Sequence, residues 1–130
     1  MAFVNLSLCL CLSFSLLNIG CQTNPYRQGH QLYKFHCESC HMEDGSGLKR
    51  LIPSLEASDM FTSTPDRLIC LIRHGRAKNE GTGQQMPPNT LLNEVEIANL
   101  VNYMIQLYSS PSDAVTTEDV KTYLSHCVPE

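Results

Sequence analysis

Residues 1–20, MAFVNLSLCLCLSFSLLNIG, contain no charged side chain. Ser and Asn interrupt the apolar run, so it falls short of the ~20 mostly apolar residues that a membrane-crossing helix needs. The segment reads as a secretory signal, although it lacks the Lys or Arg usual at its start. Basic residues are also scarce. The chain has 9 Lys and Arg against 13 Asp and Glu, for a net charge of −4. Much of that charge sits in residues 109–130, where Asp113, Glu118, Asp119 and Glu130 face only Lys121. The near-neutral body offers no basic patch, which argues against a nucleic-acid partner. No stretch reads convincingly as a strand, and no segment repeats. Hydrophobic residues make up 42% of the 130-residue chain, a figure raised by the amino terminus, and this suits one domain with a modest core.

A second short cysteine pair is missing as well. Of 7 cysteines, Cys9 and Cys11 fall in the signal. Cys21 follows Ile19-Gly20 and resembles the lipobox of bacterial lipoproteins, with Asn18 where that pattern has Leu. The resemblance implies cleavage after residue 20 and acylation of Cys21, giving a membrane tether on the periplasmic or cell-envelope side. Cys37, Cys40, Cys70 and Cys127 remain, in a compartment where disulfides can form. Cys70 lies in an apolar helical stretch and is expected to be a buried free thiol; the sequence leaves its pairing with Cys127 open.

Residues 21–28 read as a polar linker. Over 29–40, Leu32, Tyr33, His36, Cys37 and Cys40 recur at the spacings of one helix face. Residues 42–63 and 76–90 read as long loops. Between them, Thr64-Pro65-Asp66 supplies a cap and a first-turn proline for a helix running to about Gly75. The strongest helix spans about 93–108, capped by Asn93, with Ile97, Leu100, Val101, Met104 and Ile105 as its stripe. After it, residues 109–130 form an extension with a short helix at about 116–126. Loops of this length usually have a function. A small helical domain also needs added support, and a large apolar cofactor wrapped by the loops would supply it.

At residues 37–41 stands CESCH. A structural zinc site needs four ligands, commonly two short pairs, and only one pair exists. A thioredoxin-like dithiol expects a βαβ setting, and no strands are visible. The haem reading uses all three residues. Cys37 and Cys40 lie one helical turn apart, where both can form thioethers to haem vinyl groups, and His41 follows as the iron ligand. His30, His36, His74 and His126 read as structural or solvated, His74 suiting the carboxyl end of its helix.

Residues 29–108 resemble the monohaem class I cytochromes c. Gly29 and Tyr33 stand eight and four positions before Cys37, as in the opening helix of that family. Leu100 and Tyr103 match the pair they pack against on the last core helix. The resemblance implies an all-α fold of three to four helices and long loops around one covalent haem c. It implies that the Pro53 carbonyl meets the second nitrogen of His41, although Ile52 stands where family members often have Gly. It also places the sixth ligand in the loop before the last core helix, at Met86. Met42 follows His41 too closely, Met60 comes too soon after it, and Met104 belongs to the core stripe. Pro87 and Pro88 stiffen the chain after Met86. With both axial positions filled, the implied function is one-electron transfer and not catalysis, with brief docking to membrane-bound respiratory enzymes. The alternatives are a haem subunit fixed in a larger oxidoreductase, or a five-coordinate haem protein binding gas or peroxide.

Overall fold

The computed structural model describes residues 24–49, 51–56, 58–61, 65–78, 80, 84–109 and 113–128. The signal segment, Cys21 and the capping candidate Thr64 lie outside these. Five α-helices occur among the described residues: α1 (Arg27–His36), α2 (Glu38–His41), α3 (Pro65–His74), α4 (Glu94–Tyr108) and α5 (Thr117–Ser125). A 3-10 turn covers Asp59–Phe61. There is no strand among the described residues; two isolated bridges pair Leu48 with Ile52 and Arg76 with Met86.

The opening helix starts earlier than the pattern suggests and breaks where it does not. Asn24 accepts from the Tyr26 N–H at 2.9 Å through Oδ1 and from the Arg27 N–H at 3.2 Å through its backbone carbonyl, which starts α1 in place of a side-chain cap. At Cys37 the backbone leaves helical geometry (φ −124°, ψ −38°) before α2 resumes. The thiols and imidazole therefore occupy a separate short turn set on the end of α1.

α1 crosses α4 at Gly29. A Cβ on Gly29 would run into the Asn99 carbonyl and the Tyr103 Cβ, so only glycine permits this approach. Tyr33, 1% exposed, packs next, its ring 5.9 Å from that of Tyr103. On α4, Ile97, Leu100 and Val101 are wholly buried. The helix begins with a reciprocal cap: the Glu96 N–H donates to Asn93 Oδ1 (3.0 Å) and the Asn93 N–H to Glu96 Oε2 (2.9 Å). α3 places Leu68, Ile69 and Ile72 in the same core and stops at Gly75, where φ is +72°.

The extension completes this core. Val115 and Val120 are buried in it. Asn102 on α4 clamps the entry to α5, its Nδ2 donating to the Val115 carbonyl and its Oδ1 accepting from the Val115 N–H, both at 2.8 Å. A disulfide joins Cys70 on α3 to Cys127 beyond α5, with the Cα atoms 5.6 Å apart. This corrects the expectation of a free thiol at Cys70. Cys70 is half-buried on α3, and the packing of α5 against α3 brings Cys127 to it.

Candidate functional site

α1 ends with the Cys37 N–H donating to the Tyr33 carbonyl at 2.8 Å, and the His41 N–H donates to the Cys37 carbonyl at 2.9 Å. These bonds put Cys37, Cys40 and His41 on one turn. Cys37 and Cys40 are free thiols, the first half-buried and the second exposed. Burial, helped by negative charge on Cys40, pushes the Cys37 thiol up to about 12. His41 is half-buried, and its Nδ1 is buried with no hydrogen-bond partner. Burial lowers the His41 pKa, and the nearby Pro53 carbonyl pulls it partly back. Nδ1 itself completes no hydrogen bond.

The loop after His41 folds back through left-handed residues: Met42 (φ 65°), Gly45 (φ 75°) and Gly47 (φ 68°). A Cβ at Gly47 would meet the carbonyls of Ile52 and Pro53, so this glycine lets the Pro53 segment approach the histidine. The sequence points to Pro53 but not to the glycine that admits it.

Met86 stands in the second loop on a different support. Its carbonyl accepts from the Arg76 N–H at 2.8 Å, and its N–H donates to the Arg76 carbonyl at 3.2 Å. Gly75 leaves room for the Met86 carbonyl and Pro87, since a Cβ there would strike both. Further along, the Asn89 N–H donates to the Ile72 carbonyl (3.0 Å) and Arg73 Nη1 to the Asn89 carbonyl (3.2 Å). The Met86 loop is thus sewn to the end of α3, and the Met86 side chain is half-buried. Met104 is in the core, as expected, and Met60 is buried in the 3-10 turn.

The other histidines are exposed. His30 tilts against Tyr103 with ring centroids 5.4 Å apart, and His126 Nδ1 lies 2.9 Å from the Thr122 carbonyl. No cluster of three or more His, Cys, Asp or Glu suited to a bare metal ion occurs among the described residues.

Residues 24–104 match the family model described as cytochrome c oxidase, cbb3-type, subunit III, a class I c-type cytochrome domain. The chain belongs to that family. Over 96 residues it is 31% identical to the cytochrome c subunit of a quinone alcohol dehydrogenase from Gluconobacter oxydans (strain 621H), a match covering 69% of this chain and 20% of that relative. The chain thus spans about a fifth of the relative's length. The all-α fold agrees with a cytochrome c domain, and the family implies haem c. Family and relative together support haem-based electron transfer. The residues present fit the group: two free thiols one turn apart, followed by an imidazole with an unpartnered Nδ1. No helix among the described residues is long and apolar enough to cross a membrane.

Proposed function

We propose that this cytochrome is an exported, lipid-tethered carrier of single electrons, holding one haem c covalently. The division of the described cysteines carries the reading. Cys70 and Cys127 are consumed in a disulfide, whereas Cys37 and Cys40 stay free beside His41. In this reading Cys37 and Cys40 would form the thioethers, and His41 and Met86 would ligate the iron. With haem bound, the Pro53 carbonyl would accept from His41 Nδ1–H and leave Nε2 for the iron. Bound haem supplies one-electron exchange between ferrous and ferric iron. Met86 closes the remaining position to substrates, so the chain carries electrons and performs no bond chemistry.

The test is a reduced-minus-oxidised absorption spectrum of protein made with a haem-attachment system, together with a haem-stained denaturing gel. A stained band near the mature mass is expected, and Cys37→Ala with Cys40→Ala should abolish it. Covalent haem retained in that double variant would overturn the assignment.

The lipid tether rests on Ile19-Gly20-Cys21, with more than one acyl chain needed for firm anchoring. Intact-mass measurement should find a mature chain beginning with acylated Cys21; an unmodified chain starting elsewhere would refute it. A second reading, a haem subunit fixed in a larger oxidoreductase, is favoured by the relative's role as a dehydrogenase subunit. Co-purification of a dehydrogenase in fixed ratio in mild detergent would select it over a free carrier.

A further inference from the structure

The turn directly after His41 is held by two tyrosines. Met42 has a left-handed backbone, which a non-glycine residue keeps only where its surroundings impose it. The Tyr33 hydroxyl donates to the Met42 carbonyl at 2.7 Å, and the Gly45 N–H donates to the same carbonyl at 3.2 Å. The Tyr108 hydroxyl fills the space where a Gly45 Cβ would stand. That hydroxyl is buried, and its ring packs 5.1 Å from Phe61. The two phenols are neighbours, for each perturbs the other's ionisation.

The clamped turn reaches the histidine through backbone bonds. The Gly47 N–H donates to the His41 carbonyl at 3.1 Å. The Gly45 carbonyl accepts from the Leu55 N–H at 2.8 Å, and the Leu48 N–H donates to Ile52 at 3.0 Å. Pro53 lies between these last two attachments. The segment that carries it packs against Gly47, which is bonded to His41, and is tied at both ends to this loop.

We propose that Tyr33 and Tyr108 are positioning residues for His41, holding turn 42–47 so that the Pro53 carbonyl stays at the Nδ1 edge of the imidazole. The proposal rests on the reading of His41 as an iron ligand. A carbonyl accepting from Nδ1–H makes the imidazole a stronger donor and favours ferric iron. Loosening the turn weakens that support, so the reduction potential should rise.

The experiment uses the full-length holoprotein, with Tyr33→Phe, Tyr108→Leu and, as a control, Tyr103→Phe. Haem attachment is read first from the stained band. Its absence in the unsubstituted protein counts against the haem reading itself. With haem attached, Tyr33→Phe should raise the potential and speed amide exchange at Gly45 and Gly47, leaving the middle of α4 protected. Tyr108→Leu should act in the same direction, and Tyr103→Phe, whose hydroxyl does not hold the turn, should move neither readout. An unmoved potential in Tyr33→Phe, unchanged exchange at Gly45 and Gly47, or an equal rise in Tyr103→Phe would each overturn the proposal.

Discussion

Gly29 has no room for a methyl group. The obstruction is partly backbone, the Asn99 carbonyl, which cannot swing aside as a side chain could. Gly29→Ala should push α1 off α4 and cost roughly 1–3 kcal/mol, as overpacking does, measurable by denaturant unfolding. Met86 gives a second test at this scale. Met86→Ala should keep the haem-stained band, lose the charge-transfer absorption of a sulfur–iron bond and gain CO binding. A variant that kept that absorption and bound no more CO would assign the ligand elsewhere. Gly29 and Tyr33 were legible because they sit at fixed offsets before CESCH. Tyr108 was not legible. Gly45, whose Cβ space it fills, is remote in sequence, and only the folded chain brings the two together. The clamp at Asn102 escaped notice for a similar reason, since an Asn within a helix carries no sign of what it will bind.

Among the elements, α5 shows most directly how a few hydrogen bonds start a helix. The Asp119 N–H donates to Thr116 Oγ1 (3.1 Å), while Asp119 Oδ2 accepts from the Thr116 hydroxyl (2.7 Å) and N–H (2.8 Å). Those bonds, the hydroxyl's first, hold the Asp119 carboxyl below its ordinary range. A carboxyl with a depressed folded pKa stabilises the fold above its unfolded value, and that contribution is lost as pH falls through the folded value. Acidification below the usual aspartate range should therefore fray the start of α5, and Thr116→Ala should flatten the response. Amide exchange across residues 117–120 against pH would check this; equal acid sensitivity in both proteins would sink it. Caps and apolar stripes made α3 and α4 readable to within about two residues, and the short helix expected at about 116–126 is α5. The break at Cys37 was not readable, because no Gly or Pro marks it. It arises as the chain leaves the α1 axis into the CESCH turn.

At the scale of the whole molecule, the Cys70–Cys127 bond ties the extension to the body across a sequence separation of 57. A cross-link closing a loop of that length is worth about 4 kcal/mol in the chain-entropy account. Replacing both cysteines with Ser should lower unfolding stability by roughly that amount, measured by denaturant titration of matched proteins. The expectation of a free Cys70 failed because it was argued from one apolar helix. Pairing depends on α5 returning to α3, with Val115 and Val120 buried beneath it, and no local pattern announces that return. The same return sorts the chain's sulfur chemistry. Before folding, Cys40 lies at about half as great a separation from Cys70 as Cys127 does, and chain statistics favour closing the shorter loop by roughly 0.6 kcal/mol. An oxidising environment acting on the bare chain would thus tend to marry Cys70 to the wrong partner. Docking α5 on α3 reverses the preference: the extension steers Cys70 to Cys127 and leaves the thiols of Cys37 and Cys40 free.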